Sequence, residues 1–330
     1  MSEILGREIQ VGLSVENVRG TAPSTAEKWI RKITATIVQK SEKKVDETTC
    51  GNLADSLGAK VVKKWFEGDI EGNVQVDMIG YLLYNIYGAV TTASLGSSVY
   101  GHTFSLSNTN IHSSLSIFAK DGANSQEVFD TGMINTLGLS IVVDDYVKFT
   151  AGFIASDSTA NSDTPSCDTE YDFIGKDVTV KFSATEGGLA GATATKVKEL
   201  NINWETGLIA DHVLGSYTPD DIYNSKMMIE GDFTMNYVDD TFKDYFTADT
   251  YQYMQISIVD TSTDLGGGTN PTMTILLNRV SIMDWSRDGG ADELVTQSVS
   301  FKAFYNATDS EQSTVVLNNL TTEYDTPLTS

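Results

Sequence analysis

Three histidines, His102, His112 and His212, and two cysteines, Cys50 and Cys167, are the residues best suited to metal or nucleophilic chemistry. The histidines stand far apart and lack Cys or His neighbours at ligand spacing, and two cysteines are too few for a thiolate zinc site or a disulfide framework. No Gly-x-Ser-x-Gly elbow and no His-Glu-x-x-His occurs. Gly175-Lys176-Asp177 lacks the earlier glycine and the following Ser/Thr of a phosphate loop, and residues 187–191 do not form Gly-x-Gly-x-x-Gly. The string Asp260-x-Ser262-x-Asp264-x-Gly266 echoes the oxygen spacing of a calcium loop. Its sixth position is Leu265 and its twelfth is Pro271, so a solvated hairpin tip is the better reading. The pairs Asp144-Asp145, Asp220-Asp221 and Asp239-Asp240 read as solvated turns and strand ends, because sequence neighbours on a strand point to opposite faces. Trp29, Trp65, Trp204 and Trp285 are spread along the chain and read as core or interface anchors. No catalytic, cofactor-binding or metal-binding residue is expected, and neither is an enzyme.

If the chain does not do covalent chemistry, its charge and its elements carry the argument. Among 330 residues there are 22 Lys and Arg against 45 Asp and Glu, a net charge of −23. Such a surface does not grip nucleic acid, whose duplex carries a negative charge every ~1.7 Å of axis, nor anionic lipid. The longest mostly apolar stretch, residues 78–90, is interrupted by Gly80, Asn85 and Gly88 and is shorter than the ~20 residues of a membrane helix. The first residues lack a basic start followed by an apolar run, so no signal peptide is expected and a cytoplasm-like compartment is. Asn306-Ala307-Thr308 and Asn319-Leu320-Thr321 match a glycosylation pattern that has no meaning without a secretory signal.

Period-two alternation dominates. Ile70, Val74 and Val76 alternate with Glu71, Asn73 and Gln75; Leu139, Ile141, Val143, Val147 and Phe149 share a face; Val295, Val299, Phe301 and Ala303 form another; Val197, Leu200, Ile202 and Trp204 read as a strand with one slipped position. Two short helices are expected, over residues 78–88 and 239–247. Glu67-Gly68-Asp69-Ile70 is echoed by Glu230-Gly231-Asp232-Phe233, and each string precedes an alternating run and then a short helix. An offset near half the chain length suggests a duplicated module. The expected division is a first module over residues 1–157 with an N-terminal arm (2–27) and a long polar loop (41–58), a linker over 158–171, a second module over 172–306, and a polar tail over 307–330.

Several segments carry a family resemblance. Gly6-Arg7-Glu8-Ile9-Gln10-Val11-Gly12, then Glu16-Asn17-Val18-Arg19-Gly20-Thr21-Ala22 and Trp29, resemble the opening signature of major tail tube proteins of long-tailed (siphovirus-type) bacteriophages. Gly51 in its long loop, Gly68-Asp69-Ile70, Gly80-Tyr81-Leu82-Leu83, His102-Thr103-Phe104 and Ser114-Leu115-Ser116-Ile117 continue the pattern. In the second half Leu200-Asn201-Ile202-Asn203-Trp204, residues 214–222 and Ile229-Glu230-Gly231 are similar to that family's second-module turn. The polar tail departs from the pattern, and its role stays open.

The resemblance implies a mainly β fold: two tandem tail-tube-type β-barrel or β-sandwich modules, each with a short helix, contributing strands to a shared ring barrel. It implies a structural subunit of the virion tail that self-assembles, in the host cytoplasm, into stacked rings forming the conduit for genome delivery. Six modules surround the bore in the family, so three duplicated chains or six single-module chains would close a ring. Implied partners are other copies of the chain, a tape measure protein, a baseplate hub and a tail terminator. Double-stranded DNA would pass without specific binding, and no membrane is involved. Glu71, Asn73, Gln75, Thr234 and Asn236 are expected to face the lumen, the alternative being that this polar face is simply outer surface. Gly20, Thr21, Trp29, Cys50 and Gly51 are the assembly candidates, and the arm, the long loop and the tail are expected to order only on assembly. A baseplate or tail-completion ring, or a carbohydrate-binding β-sandwich adhesin, are the competing readings.

Overall fold

The computed structural model describes residues 3–51, 53, 55–167 and 169–326; Ser2 of the expected arm, residues 52 and 54 of the loop, residue 168 of the linker and residues 327–330 of the tail lie outside the described residues. The first half runs β1 (Ile9–Val15), β2 (Lys28–Ile30), β3 (Lys32–Asp46), β4 (Gly58–Asn73), α1 (Ile79–Tyr87), β5 (Gly88–Gly96), β6 (Val99–Leu106), β7 (Leu115–Asp121), β8 (Ser125–Val142), β9 (Lys148–Ala155) and β10 (Ser158–Ala160). The second runs β11 (Val178–Ser183), β12 (Val197–Glu205), β13 (Ile209–Asp211), β14 (Asp221–Tyr223), β15 (Met228–Asn236), α2 (Thr241–Thr247), β16 (Gln252–Val259), β17 (Thr272–Asp288), β18 (Thr296–Ala303) and β19 (Ser313–Asn319). The protein is mainly β, as expected, in a sandwich-like arrangement with no closed barrel among the described residues.

Alternating side chains make the strands. β16 and β19 bury every second residue along their whole length, the pattern of a sheet with one face in a core. α1 differs: all nine of its residues are buried, so it is a core helix rather than a surface one. It stops where the sequence predicts, at Gly88, whose left-handed φ of 76° lets its N–H reach the Tyr84 carbonyl. The long strands β8 and β17 each serve two layers. Their C-terminal parts join one wall sheet, ordered β3-β4-β9-β8-β12-β15-β18-β17 and antiparallel throughout. Their N-terminal parts leave it, β8 to pair with β7 and β10, β17 to pair with β16 and β19. One apolar core, including Ile70, Phe153, Trp204, Phe233, Phe301 and the α1 side chains, fills the space between wall and outer strands.

The wall repeats itself. Across β3, β4, β9 and β8 the register aligns Ile37, Gly68, Phe153 and Ile134. Across β12, β15, β18 and β17 it aligns Ile202, Gly231, Phe301 and Ile282. Even the irregularities match. A bulge lies between Lys32 and Thr34 and between Val197 and Glu199. Another lies between Ile134 and Thr136 and between Ile282 and Asp284. The slipped position expected in β12 is the first of these bulges.

The shared Glu-Gly-Asp string follows from packing. A Cβ on Gly68 would stand 2.3 Å from the Thr36 carbonyl oxygen and 2.6 Å from the Phe153 ring; on Gly231 it would stand 2.3 Å from the Asn201 carbonyl oxygen and 2.5 Å from the Phe301 ring. In each case a phenylalanine lies flat over its cross-strand glycine, and no side chain fits between. Gly68→Ala and Gly231→Ala should each cost about 1–3 kcal/mol by overpacking, and should cost nearly the same. Chemical denaturation of the two variants measures this; a neutral effect at one site and a large one at the other would break the equivalence.

Several expectations are corrected. Residues 9–15 of the N-terminal arm form β1, buried between β7 and β2, with Val11, Leu13 and Val15 inside. Residues 41–46 continue β3 and β4 begins at Gly58, so the long loop is the tip of a hairpin and spans only 47–57. Its charged residues lie on both faces, which hides the period. The tail does not hang free: β19 pairs with β17 on one side and β6 on the other, and Val315, Leu317 and Tyr324 are fully buried. Residues 139–149 are not one strand; β8 ends at Val142 and the chain turns before β9.

Candidate functional site

Every second residue of the wall points away from the core, and these residues make one mainly polar face, with Val38, Ile154 and Val142 among them. β4 contributes Glu67, Asp69, Glu71 and Asn73; β15 contributes Glu230, Asp232, Thr234 and Asn236. Their neighbours are small. Asp69 lies opposite Gly152 of β9, and Gly152 opposite Thr136 of β8. Over the junction of β8 and β12 this face is concave, an open groove of about 550 Å³ bounded by Gly138, Ser140, Thr150, Asn201, Asn203 and Ser300.

The face is acidic after its internal pairings are counted. Lys40 lies 3.6 Å from Glu67, Lys302 lies 2.5 Å from Glu230, and Lys226 lies 2.8 Å from Glu205. Asp232 accepts a hydrogen bond from Asn201 at 3.2 Å and Glu71 one from Thr34 at 3.4 Å. Among the described residues Asp69, Glu71, Glu199 and Asp232 have no ion-pair partner, so the surplus on this face is negative.

Four of the five expected lumen residues, Glu71, Asn73, Thr234 and Asn236, stand on this face and are half-buried. Gln75 does not. It is fully buried, donates to the Arg31 carbonyl at 2.8 Å and accepts from the Arg31 N–H at 3.4 Å. The ladder ends at Asn73, and beyond it the chain crosses the core toward α1, so strand parity no longer assigns a face.

The assembly candidates scatter. Gly20 and Thr21 lie in an exposed turn held by the Gly20 N–H, which donates to Glu16 at 2.8 Å. Cys50 and Gly51 are exposed at the β3–β4 hairpin tip. Trp29 is buried against Phe118 and Val128 and is occupied within its own chain. Two residues of the opening signature prove more consequential than those singled out. Glu16 is a buried carboxylate that accepts from Ser114 at 2.5 Å, Ser116 at 2.9 Å and the Thr131 N–H at 2.8 Å. Arg19 binds Asp221 at 2.5 Å and the His112 carbonyl at 2.6 Å, and also donates to the Ile222 carbonyl, tying the first half to the second. Nothing in their spacing marks them; their partners lie about 100 and 200 residues away along the chain.

Near Glu16, Asp130 is pushed up to about 6 by burial, with Glu16 and Asp157 adding repulsion. Its folded value exceeds its unfolded one, so its protonation favours the native state. The contribution is complete below pH ~4 and is lost as pH rises through ~6. Asp130→Asn should therefore match the parent's melting temperature at pH 4 and exceed it at pH 7.5. An offset that does not vary with pH would contradict this.

The carboxylates of the calcium-like string serve their own loop: Asp260 accepts from Ser262 Oγ and Thr263 Oγ1, each at 2.5 Å, and Asp264 from the Gly266 N–H at 2.9 Å. His102 and His112 are buried in separate hydrogen-bond sets. No group of three His, Cys, Asp or Glu side chains converges on a metal-sized site among the described residues, and no helix among them is long and apolar enough to cross a membrane.

The profile of the phage tail tube protein family matches residues 6–303. No curated protein matches the chain. Among solved structures it is similar to the hybrid solid-state NMR and cryo-EM structure of the SPP1 tail tube, at 12% identity over 46% of this chain and 81% of that one, with a TM-score of 0.32. The family match spans most of the chain, including the opening signature, the wall sheet and both glycine strings, and implies a non-enzymatic, self-assembling role in the virion tail: the chain belongs to the phage tail tube protein family and is a structural subunit of the tail tube.

Proposed function

We propose that the chain holds two copies of one tube module, residues 1–157 and 172–306 joined by 158–171, and that three chains close each ring with pseudo-sixfold symmetry. The carrying observation is the repeated wall register, in which β3-β4-β9-β8 and β12-β15-β18-β17 lie side by side as equivalent blocks. In this reading β10, in the joining segment, and β19, beyond residue 306, play equivalent parts outside those bounds, each pairing with the N-terminal part of its module's long strand, β8 or β17.

Size favours three chains. Strands lie ~4.8 Å apart, so eight strands from each of two chains give a backbone diameter of only about 24 Å, a narrow aqueous channel that side chains constrict further. Three chains give at least about 37 Å, and strand tilt widens this further. The acidic polar face, with Glu67, Asp69, Glu71, Glu230 and Asp232, would line the bore. Such a wall repels phosphate from all sides, and without cationic contacts DNA has no counterion-release gain and slides.

The β3–β4 hairpin supports stacking of rings. Lys43, Lys44, Lys60, Lys63 and Lys64 give its outer part a basic character in a chain of net charge −23, so it suits the acidic surface of an adjacent ring. The tape measure protein, baseplate hub and tail terminator complete the tail, DNA transits without specific binding, and assembly takes place in the host cytoplasm.

Negative-stain imaging of purified protein, with native mass of the smallest closed assembly, tests this reading. Tubes of constant diameter built from rings of three 35.8 kDa chains are expected. Single rings would favour a baseplate or tail-completion role, six chains per ring would refute the duplicated-module closure, and persistent monomers would favour an adhesin.

A further inference from the structure

The wall sheet ends in two strands that lack a neighbour on one side. Among the described residues β3 pairs only with β4, and the last part of β17, residues 284–288, pairs only with β18. Their counterparts inside the chain do have one another: β8, equivalent to β17, pairs with β12, equivalent to β3. We propose that the free edge of β17 in one copy pairs antiparallel with β3 of the next copy, in the register the chain already uses at its own β8–β12 seam. This rests on the ring reading above and gives it a residue-level contact.

The internal seam sets Thr136 opposite Glu205, Leu137 opposite Trp204 and Gly138 opposite Asn203. Carried over by the matching bulges, the seam between copies sets Asp284 opposite Lys40, Trp285 opposite Gln39, and Ser286 opposite Val38. Three observations fit this register. First, it brings a carboxylate to an ammonium on the polar face, and opposite charges directly across strands are favourable. Second, each seam then carries one tryptophan on its inward face opposite a smaller residue, Trp204 from β12 at the internal seam and Trp285 from β17 at the other. Third, Leu137 and Trp204 are fully buried, while Trp285 is half-buried and Gln39 exposed, as cover by a second copy requires. An open groove of about 460 Å³ also runs beside β3, bordered by Ile37, Gln39, Phe66 and Phe129. At the equivalent internal position Ile202 and Trp204 are fully buried. An uncovered edge of this length is otherwise a site of uncontrolled pairing.

Zero-length carbodiimide coupling of the unmodified protein tests the register, with cross-linked peptides identified by mass spectrometry. Lys40–Glu67 coupling, within one chain, should appear in both unassembled subunits and tubes and serves as the reagent control. Lys40–Asp284 coupling should appear in tubes and be lost from unassembled subunits. A second measurement uses tubes of Val38→Cys/Ser286→Cys, which should oxidise to covalent oligomers that reductant dissolves, whereas Val38→Cys/Asp284→Cys should not. Tubes that give Lys40–Glu67 but not Lys40–Asp284, or that cross-link only in the shifted pair, overturn this register and leave the ring reading standing. If neither rings nor tubes form, the ring reading itself fails and this pairing with it.

Discussion

Removing residues 307–330 is expected to leave a chain that does not fold, rather than a tube subunit without its tail. β19 fills the gap between β17 and β6, so its loss opens two ladders at once. It also uncovers Val315, Leu317 and Tyr324, all fully buried, each worth about 1.5–3 kcal/mol of burial. Tyr324 sits where α1 has made room for it: a Cβ on Gly80 would stand 2.1 Å from its ring. Asn319 donates to the Val76 carbonyl at 3.0 Å and to the Tyr324 hydroxyl at 2.6 Å, and Tyr324 donates to the Asp77 carbonyl at 2.6 Å. These losses together match the ~5–15 kcal/mol of a typical domain. The single change Leu317→Ala should cost about 2–5 kcal/mol. Circular dichroism and protease resistance of the truncated chain check the prediction; a folded, protease-resistant product that still assembles would show that the tail is an appendage.

The second large effect concerns the polar face. Asp69→Lys with Asp232→Lys replaces two carboxylates that have no ion-pair partner by two cations on each chain. Three chains would then present a ring of lysines to the bore, repeated in every stacked ring. Short duplex DNA should pass the parent tube without retention and be held by the variant. With 6–10 phosphate contacts, affinity should fall about 10³–10⁵-fold between 50 and 200 mM salt. Nuclease treatment separates bore from exterior: DNA held inside is protected and DNA on the outer surface is digested. Retained DNA that nuclease removes would place the acidic face outside.

Much of this architecture is legible in the amino-acid sequence, and the exceptions have physical causes. Glu67-Gly68-Asp69 and Glu230-Gly231-Asp232 are visible as a repeat because each glycine is fixed by a cross-strand phenylalanine, a constraint that tolerates no side chain. α1 reads correctly because its apolar residues and Gly88 terminate it locally. β19 is misread because its alternating residues sit within a polar stretch, and only the gap between β6 and β17 reveals why they are buried. The β3–β4 hairpin is misread because charges on both faces remove the period. Gln75 breaks the alternation because the β4 ladder ends at Asn73, two residues before it. Glu16 and Arg19 are invisible as anchors because their partners, Ser114, Ser116, Thr131 and Asp221, come from distant strands. The proposed seam register likewise rests on tertiary pairing, the β8–β12 ladder, and not on any local signal.

A cryo-EM map of the assembled tube at side-chain resolution tests the central claim most directly. The account predicts three chains per ring and a continuous antiparallel wall in which β4 and β15 alternate around the bore, with Asp69 and Asp232 facing the channel. Six chains per ring, or a channel lined by the strands of the outer layer with the acidic face turned away from it, would contradict it.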